Sequence, residues 1–207
     1  MTTKTKNKRL TPKEAYTWLT KITPGCRNDE LEKIIAKSPK WAYKYADEVL
    51  KGRFELGESI IAKSKKYVLN YANNAIKGRF ELGEPAITTD PYWAYAYARD
   101  IINGRFELGE KVIATDAYWA CQYACEVLNG RFELGEKIIA TNPYYAYYYA
   151  NDVLNGRFEL GEPVIATNAY WTYHYACSIL KSRFELAEPA ILNSNYADDY
   201  KKHFNIK

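Results

Sequence analysis

A chain of 207 residues is long enough to bury a sizeable core, and none of its apolar runs approaches the ~18 residues that a membrane span needs. The formal net charge of +4 is unevenly spread: Lys4, Lys6, Lys8, Arg9, Lys13 and Lys21 against Glu14 give residues 1–26 a net +5, so the rest sums to −1. A basic tail on a near-neutral body is weak evidence for nucleic acid, and the tail reads more readily as a solvated segment than as a phosphate-binding arm. Twenty tyrosines are the one large excess in the composition.

In chain order, residues 1–10 are polar and basic and have no apolar stretch after them, so a disordered tail is expected there and a secretory signal is not. Thr11-Pro12-Lys13-Glu14-Ala15-Tyr16 matches Ser38-Pro39-Lys40-Trp41-Ala42-Tyr43 at a shift of 27, and reads as a diverged first helix with Glu14 in place of a core aromatic. A decayed copy of a longer unit then starts at Cys26-Arg27. The unit itself is Gly-Arg-Phe-Glu-Leu-Gly-Glu, beginning at Gly52, Gly78, Gly104, Gly130 and Gly156 and followed by Ser182-Arg-Phe-Glu-Leu-Ala-Glu. A strict 26-residue period predicts an all-α solenoid of about seven helix-turn-helix repeats with diverged terminal caps, occupying 11–207 as a single domain.

Each repeat reads as a short helix followed by an aromatic one. The short helix covers about nine residues. Pro85, Pro163 and Pro189 belong in its first turn, so those copies begin near Glu-Leu-Gly. Its constant residue is an isoleucine (Ile35, Ile61, Ile87, Ile113, Ile139, Ile165, Ile191), read as the centre of the core. The aromatic helix is predicted to start at the N-cap column Ser38, Ser64, Asp90, Asp116, Asn142, Asn168 and Ser194. About 12 residues later it ends at the glycines, read as left-handed C′ residues. Trp41, Tyr45 and Ala46, with their equivalents and two aliphatic positions such as Ile101-Ile102, form its inward stripe. In the last helix Ala197, Asp198 and Lys202 replace core positions.

Candidate chemistry is sparse. Arg53 and Glu58, Arg79 and Glu84, Arg105 and Glu110, Arg131 and Glu136, and Arg157 and Glu162 recur in every full copy. A catalytic carboxylate is normally single, so these are expected to be structural ion pairs. Cys121, Cys125, His174 and Cys177 include metal-ligating types, but the two groups lie two repeats apart, on the order of 20 Å at the ~8–10 Å spacing of packed helices, too far for one tetrahedral site. The cysteines show no disulfide framework, which points to reduced thiols in a cytoplasm. No cofactor, metal or catalytic set is expected, and an enzyme is the least favoured class.

The outward face of the aromatic helix changes from copy to copy while the core columns stay nearly fixed. It carries Lys40 and Lys44, then Lys66 and Lys77, and later Tyr92, Ala96 and Arg99, Tyr118, Gln122 and Cys125, Tyr144 and Tyr148, Tyr170, His174 and Cys177. Tyrosine at four successive equivalents is read either as a recognition face for a protein partner or as a seam between repeats, and both readings stand open. Nucleic-acid binding through the basic N-terminal tail together with Lys40, Lys44, Lys66 and Lys77, with tyrosines stacking on bases, and capture of a small ligand such as a nucleotide, are the alternatives.

Gly-Arg-Phe-Glu-Leu-Gly-Glu-Pro-Ala-Ile (78–87) and Asp-Pro-Tyr-Trp-Ala-Tyr-Ala-Tyr-Ala (90–98) resemble the short Gly-Arg-(Trp/Phe)…Glu-Pro…Ile…Tyr-Ala repeats of tailed-bacteriophage proteins. Glu-Leu-Gly here stands where that pattern has Pro-Glu-Ala. The resemblance implies a phage accessory protein in the host cytoplasm that meets a host factor or defence system. It implies no activity and no site residues.

Overall fold

The computed structural model describes residues 10–22 and 27–206. The basic segment 1–9 and Cys26 lie outside the described residues. Every regular element among the described residues is helical, in the repeating short-helix and aromatic-helix order of an α-solenoid. The described residues up to Thr89 form one compact unit and those from Asp90 form a second.

In the first unit Pro12–Thr17 opens on a capping box. Thr11 accepts from the Glu14 amide, and the Glu14 carboxylate accepts from the Thr11 amide and hydroxyl. Glu14 is therefore held at the helix start, half-buried. The short helices Asp29–Ile35 and Glu55–Ile61 alternate with the aromatic helices Pro39–Lys44 and Lys65–Asn70. In the second unit the aromatic helices Pro91–Tyr97, Ala117–Gln122, Pro143–Tyr148 and Ala169–His174 pack side by side. The short helices Glu107–Ile113 and Glu133–Ile139 do the same. Where the short helix carries Pro85, Pro163 or Pro189, its first turn tightens to a 3₁₀ turn over Glu-Leu-Gly (Glu-Leu-Ala in the last copy) and the proline enters the first α-turn, where it costs no hydrogen bond.

The aromatic helices do not stay α-helical. From Pro39–Lys44 to Ala169–His174 each runs into a π-helical segment, for example Tyr45–Leu50 and Tyr123–Leu128, while the last helix, Ala197–Phe204, does not. The inward residues recur every four positions, against 3.6 in an α-helix, and the wider turn keeps that stripe on one face. Single π-turns often mark functional sites, but one that returns in every repeat is architectural.

The buried columns are the predicted isoleucines, the Tyr45 series and the Ala46 series, all sealed from solvent, while the tryptophans are half-buried. Three further buried columns carry the packing. One follows each tryptophan position (Ala42, Val68, Ala94, Ala120, Ala146, Thr172), a second is the Phe of Gly-Arg-Phe, and the third is the second glycine of the motif. A Cβ on Gly109 would stand 2.5 Å from Phe106 Cδ1 and 3.1 Å from Ala94 Cβ, so this glycine is what lets the short helix lie against the ring.

Four expectations are corrected. The left-handed residue that ends each aromatic helix is the one before the glycine, namely Lys51, Lys77, Asn103, Asn129, Asn155 and Lys181. The π-turn reaches its end one residue early: the amides of Lys51 and Gly52 both donate to the Ala46 carbonyl. Gly52 and its equivalents have no positive φ, which is why Ser182 can take the same place. Among the N-caps, only Asp90, Asp116, Asn142 and Asn168 accept cap bonds. Ser38 and Ser64 occupy the position without one. Ser194 is not the cap of the last helix, which is Ala197–Phe204. A one-residue deletion there shifts the register. Tyr200 takes the buried tyrosine place and Tyr196 the half-buried aromatic place, so Ala197 replaces nothing, while Asp198 and Lys202 are exposed. Ala96, finally, is buried rather than outward.

The two glycine columns should respond oppositely. Gly109→Ala is expected to cost about 1–3 kcal/mol by overpacking. Gly104→Ala, whose Cβ meets open space at an ordinary φ, should be neutral or stabilise by about 0.4–1 kcal/mol. Ile113→Ala should cost about 2–5 kcal/mol as a cavity in a sealed site. Urea titrations of the three variants check all three signs.

Candidate functional site

Two surfaces are built by the repeat, and they differ in how they vary. The first is the edge formed by the Arg-Phe-Glu-Leu turn. Arg131 grips Glu136 through Nε (2.6 Å) and Nη2 (3.0 Å), and Arg53, Arg79, Arg105 and Arg157 hold Glu58, Glu84, Glu110 and Glu162 in the same two-pronged way. Each glutamate is buried and each arginine half in solvent. A tyrosine from the aromatic helix of the same repeat completes the group. Tyr149 accepts the Phe132 amide at 2.8 Å and donates to Glu136 at 3.1 Å. Tyr71 does so with Phe54 and Glu58, and Tyr123 with Phe106 and Glu110. No buried side-chain polar atom among the described residues lacks a partner.

Electrostatics follow from this arrangement. Burial, opposed by the Phe106 amide and reinforced by Glu110, pushes the Tyr123 phenol up to about 12. Tyr45, Tyr71, Tyr149 and Tyr175 are raised for the same first reason. Hydrogen bonds from Arg27 and Arg183 hold Glu32 and Glu188 below the usual carboxylate range. A residue that appears once per repeat and is bonded inward on every side serves the fold. This geometry presents no single acid–base pair to a substrate. On the outer side of the same turn, Leu108, Leu134, Leu160 and Leu186 stand 50–62% exposed, and the last three line shallow clefts beside the arginines. The sequence reading did not single them out, although an apolar residue repeated six times next to charges was visible.

The second surface lies on the aromatic helices of the second unit. Tyr92, Tyr118, Tyr144 and Tyr170 are 41–45% exposed. Each leans on the aromatic of the next repeat: Tyr92 on Trp119 (5.0 Å), Tyr118 on Tyr145 (5.9 Å), Tyr144 on Trp171 (5.3 Å) and Tyr170 on Tyr196 (5.9 Å). They are thus seam on one side and solvent face on the other, so neither open reading excludes the second. Tyr144 and Tyr148 touch at 4.5 Å, and His174 sits against Tyr170 (4.3 Å) and Tyr147 (6.4 Å). Arg99 and Gln122 belong to a polar network instead. Tyr95 donates to Glu126 at 2.5 Å, Arg99 donates to Tyr95 and Asp100, and Gln122 donates to Glu126. In the first unit Lys40 and Lys44 lie over the Trp41 ring and Lys44 pairs with Glu48, which also receives the Tyr16 hydroxyl.

One interruption matters. The column Tyr43, Tyr95, Tyr147, Tyr173 carries Cys121 at its fourth place (Leu69 at its second). Where the ring is missing, a cleft of about 230 Å³ opens between Tyr118, Tyr144, Tyr145 and Tyr148, with Cys121, Cys125 and Asp152 also lining it. Burial, and the nearby Cys125 and Asp152, push the Cys121 thiol up to about 12, so it is a neutral wall rather than a nucleophile. The described cysteines are free, and no group of three or more His, Cys, Asp and Glu among the described residues could hold a metal. No described helix is long and apolar enough to cross a membrane. Searches of protein-family models, curated proteins and solved structures find no match to this chain.

The Tyr123 shift has a definite sign. A folded pKa above the unfolded value of ~10 means stability that is complete below about pH 10 and lost as the pH rises through about 12. Helical circular dichroism is therefore expected to fall across that window in step with the last phase of tyrosinate absorbance. Full tyrosine ionisation with the helical signal intact would disprove the buried-phenol arrangement.

Proposed function

We propose that the protein is a non-catalytic binding scaffold whose recognition surface is the aromatic face of the second unit. The observation that carries this reading is the row Tyr92, Tyr118, Tyr144 and Tyr170. These rings are held in place by the next repeat and yet nearly half open to solvent. Rigid, half-buried tyrosines bring large amphipathic area at small entropic cost, which is what interface hot spots use. Around them the outward residues differ between copies (Arg99, Gln122, Tyr148, His174) on a nearly constant core, so the scaffold presents one particular surface rather than a generic one.

By the resemblance to phage repeat proteins, the partner is a protein of the host, or of its defences, met in the host cytoplasm. Small-ligand capture is the second reading, and the cleft beside Cys121 favours it. In the nucleic-acid reading Lys44 is paired with Glu48 and Lys40 lies on Trp41, while the basic tail that the reading also uses falls outside the described residues.

Changing Tyr144 and Tyr148 together to serine tests the recognition face. Each truncated hot-spot ring typically costs ~1–2 kcal/mol or more in binding, so retention of a partner from host extract should drop at least about tenfold. Melting should fall only modestly, since the core columns are untouched. A large loss of melting temperature would assign both rings to packing, and unchanged retention would place recognition elsewhere.

A further inference from the structure

The cleft beside Cys121 has a composition that selects a ligand class. Four tyrosines, Tyr118, Tyr144, Tyr145 and Tyr148, surround it. They are set at angles to one another. Tyr144 is perpendicular to Tyr145 (90°, 5.1 Å), tilted 44° from Tyr148 at 4.5 Å, and Tyr118 is tilted 54° from Tyr145 at 5.9 Å. Rings at such angles do not form a parallel stack, and the cleft lies between them. The single acidic side chain on its wall is Asp152, and no lysine or arginine lines it. Asn151 donates to one Asp152 oxygen at 2.6 Å, which orients the carboxylate.

Size and origin agree with this chemistry. About 230 Å³ admits a trimethylammonium-sized group but not a nucleotide. The space exists because Cys121 stands where Tyr43, Tyr95, Tyr147 and Tyr173 stand in other copies. A fifth tyrosine would fill it.

We propose that this cleft is an aromatic cage for an organic ammonium group, either the side-chain ammonium of a lysine or methylated lysine on a partner, or a free quaternary ammonium compound. The inference deepens the reading of the aromatic face and rests on it: it names the group that a ligand presents there. The rings supply the attraction of their negative faces for the cation, and Asp152 supplies the counter-charge. The cation's low hydration when methylated makes entry into an apolar cleft cheap.

The experiment is calorimetric titration of the full chain with choline and with dimethylbutanol, the neutral carbon isostere of choline. Choline is expected to bind, with the isostere at least about tenfold weaker. Asp152→Asn should weaken choline about threefold. Cys121→Tyr should abolish binding while melting like the parent, because the sister repeats house a tyrosine at this place. A peptide carrying trimethyllysine separates the sources: binding tighter than choline points to a partner side chain, and equal binding to a free ammonium compound.

Equal affinity for choline and isostere would overturn the proposal, as would no binding of either. So would choline binding that survives in a well-folded Cys121→Tyr protein. Should that variant lose stability, the isostere comparison on the parent chain and Asp152→Asn still decide. If the cage fails while the serine variants at Tyr144 and Tyr148 lose a partner, the face stands without it.

Discussion

The structure depends on burying a carboxylate in every repeat without leaving it unpaired. An isolated buried glutamate would cost several kcal/mol or would take up a proton. Here Arg131 closes on Glu136 from the solvent side, and the Tyr149 hydroxyl closes on it from the core side. The same hydroxyl accepts the Phe132 amide, a group that the turn would otherwise leave without a partner. One glutamate thus fixes the short helix, the turn before it and the aromatic helix of its own repeat. The Phe132 ring meanwhile packs at 5.1 Å against Tyr123 of the preceding repeat. The polar bonds of this buried glutamate close the repeat internally and the Tyr-to-Phe contact joins it to its neighbour, so here orientation within a repeat and packing between repeats have separate physical causes.

Much of this was legible in the sequence because repetition performs an internal comparison. Constant Ile113 and its equivalents, the Tyr123 series and the alanine beside it could be placed in the core from their columns, and the structure seals all three. What escaped were positions whose constancy has more than one cause. Gly104 and Gly109 are equally repeated. The first was read as the left-handed residue that Asn103 turns out to be, and the second serves close approach to Phe106, a distance no linear pattern contains. The π-turn was hidden because twelve residues between a cap and a glycine fit an α-helix equally well. The one-residue deletion before Tyr200 defeated a fixed period of 26, although shifting the frame by one restores Tyr196 and Tyr200 to their columns.

The candidate face was legible in outline only. Exposed tyrosines at equal spacing can be read from columns, but whether a ring faces solvent or its neighbour depends on helix spacing, and Tyr118 and Tyr144 do both. The cleft had a plain signal, a cysteine interrupting a tyrosine column. It was read among metal ligands because its residue type drew more attention than its place. The missing ring, rather than the thiol that replaces it, shapes the surface there.

Closure of each buried motif glutamate inside its own repeat has a genetic corollary. Glu110, Glu136 and Glu162 find their arginine and tyrosine within the same 26 residues, and each repeat meets the next through the same Tyr-to-Phe contact. Excision or duplication of one whole unit within the second compact unit, as recombination between near-identical coding segments produces, would leave every buried motif glutamate satisfied and each Tyr-to-Phe joint of standard form. The number of copies is then a heritable variable largely free of a folding penalty, and the length of the aromatic face can change in a single step.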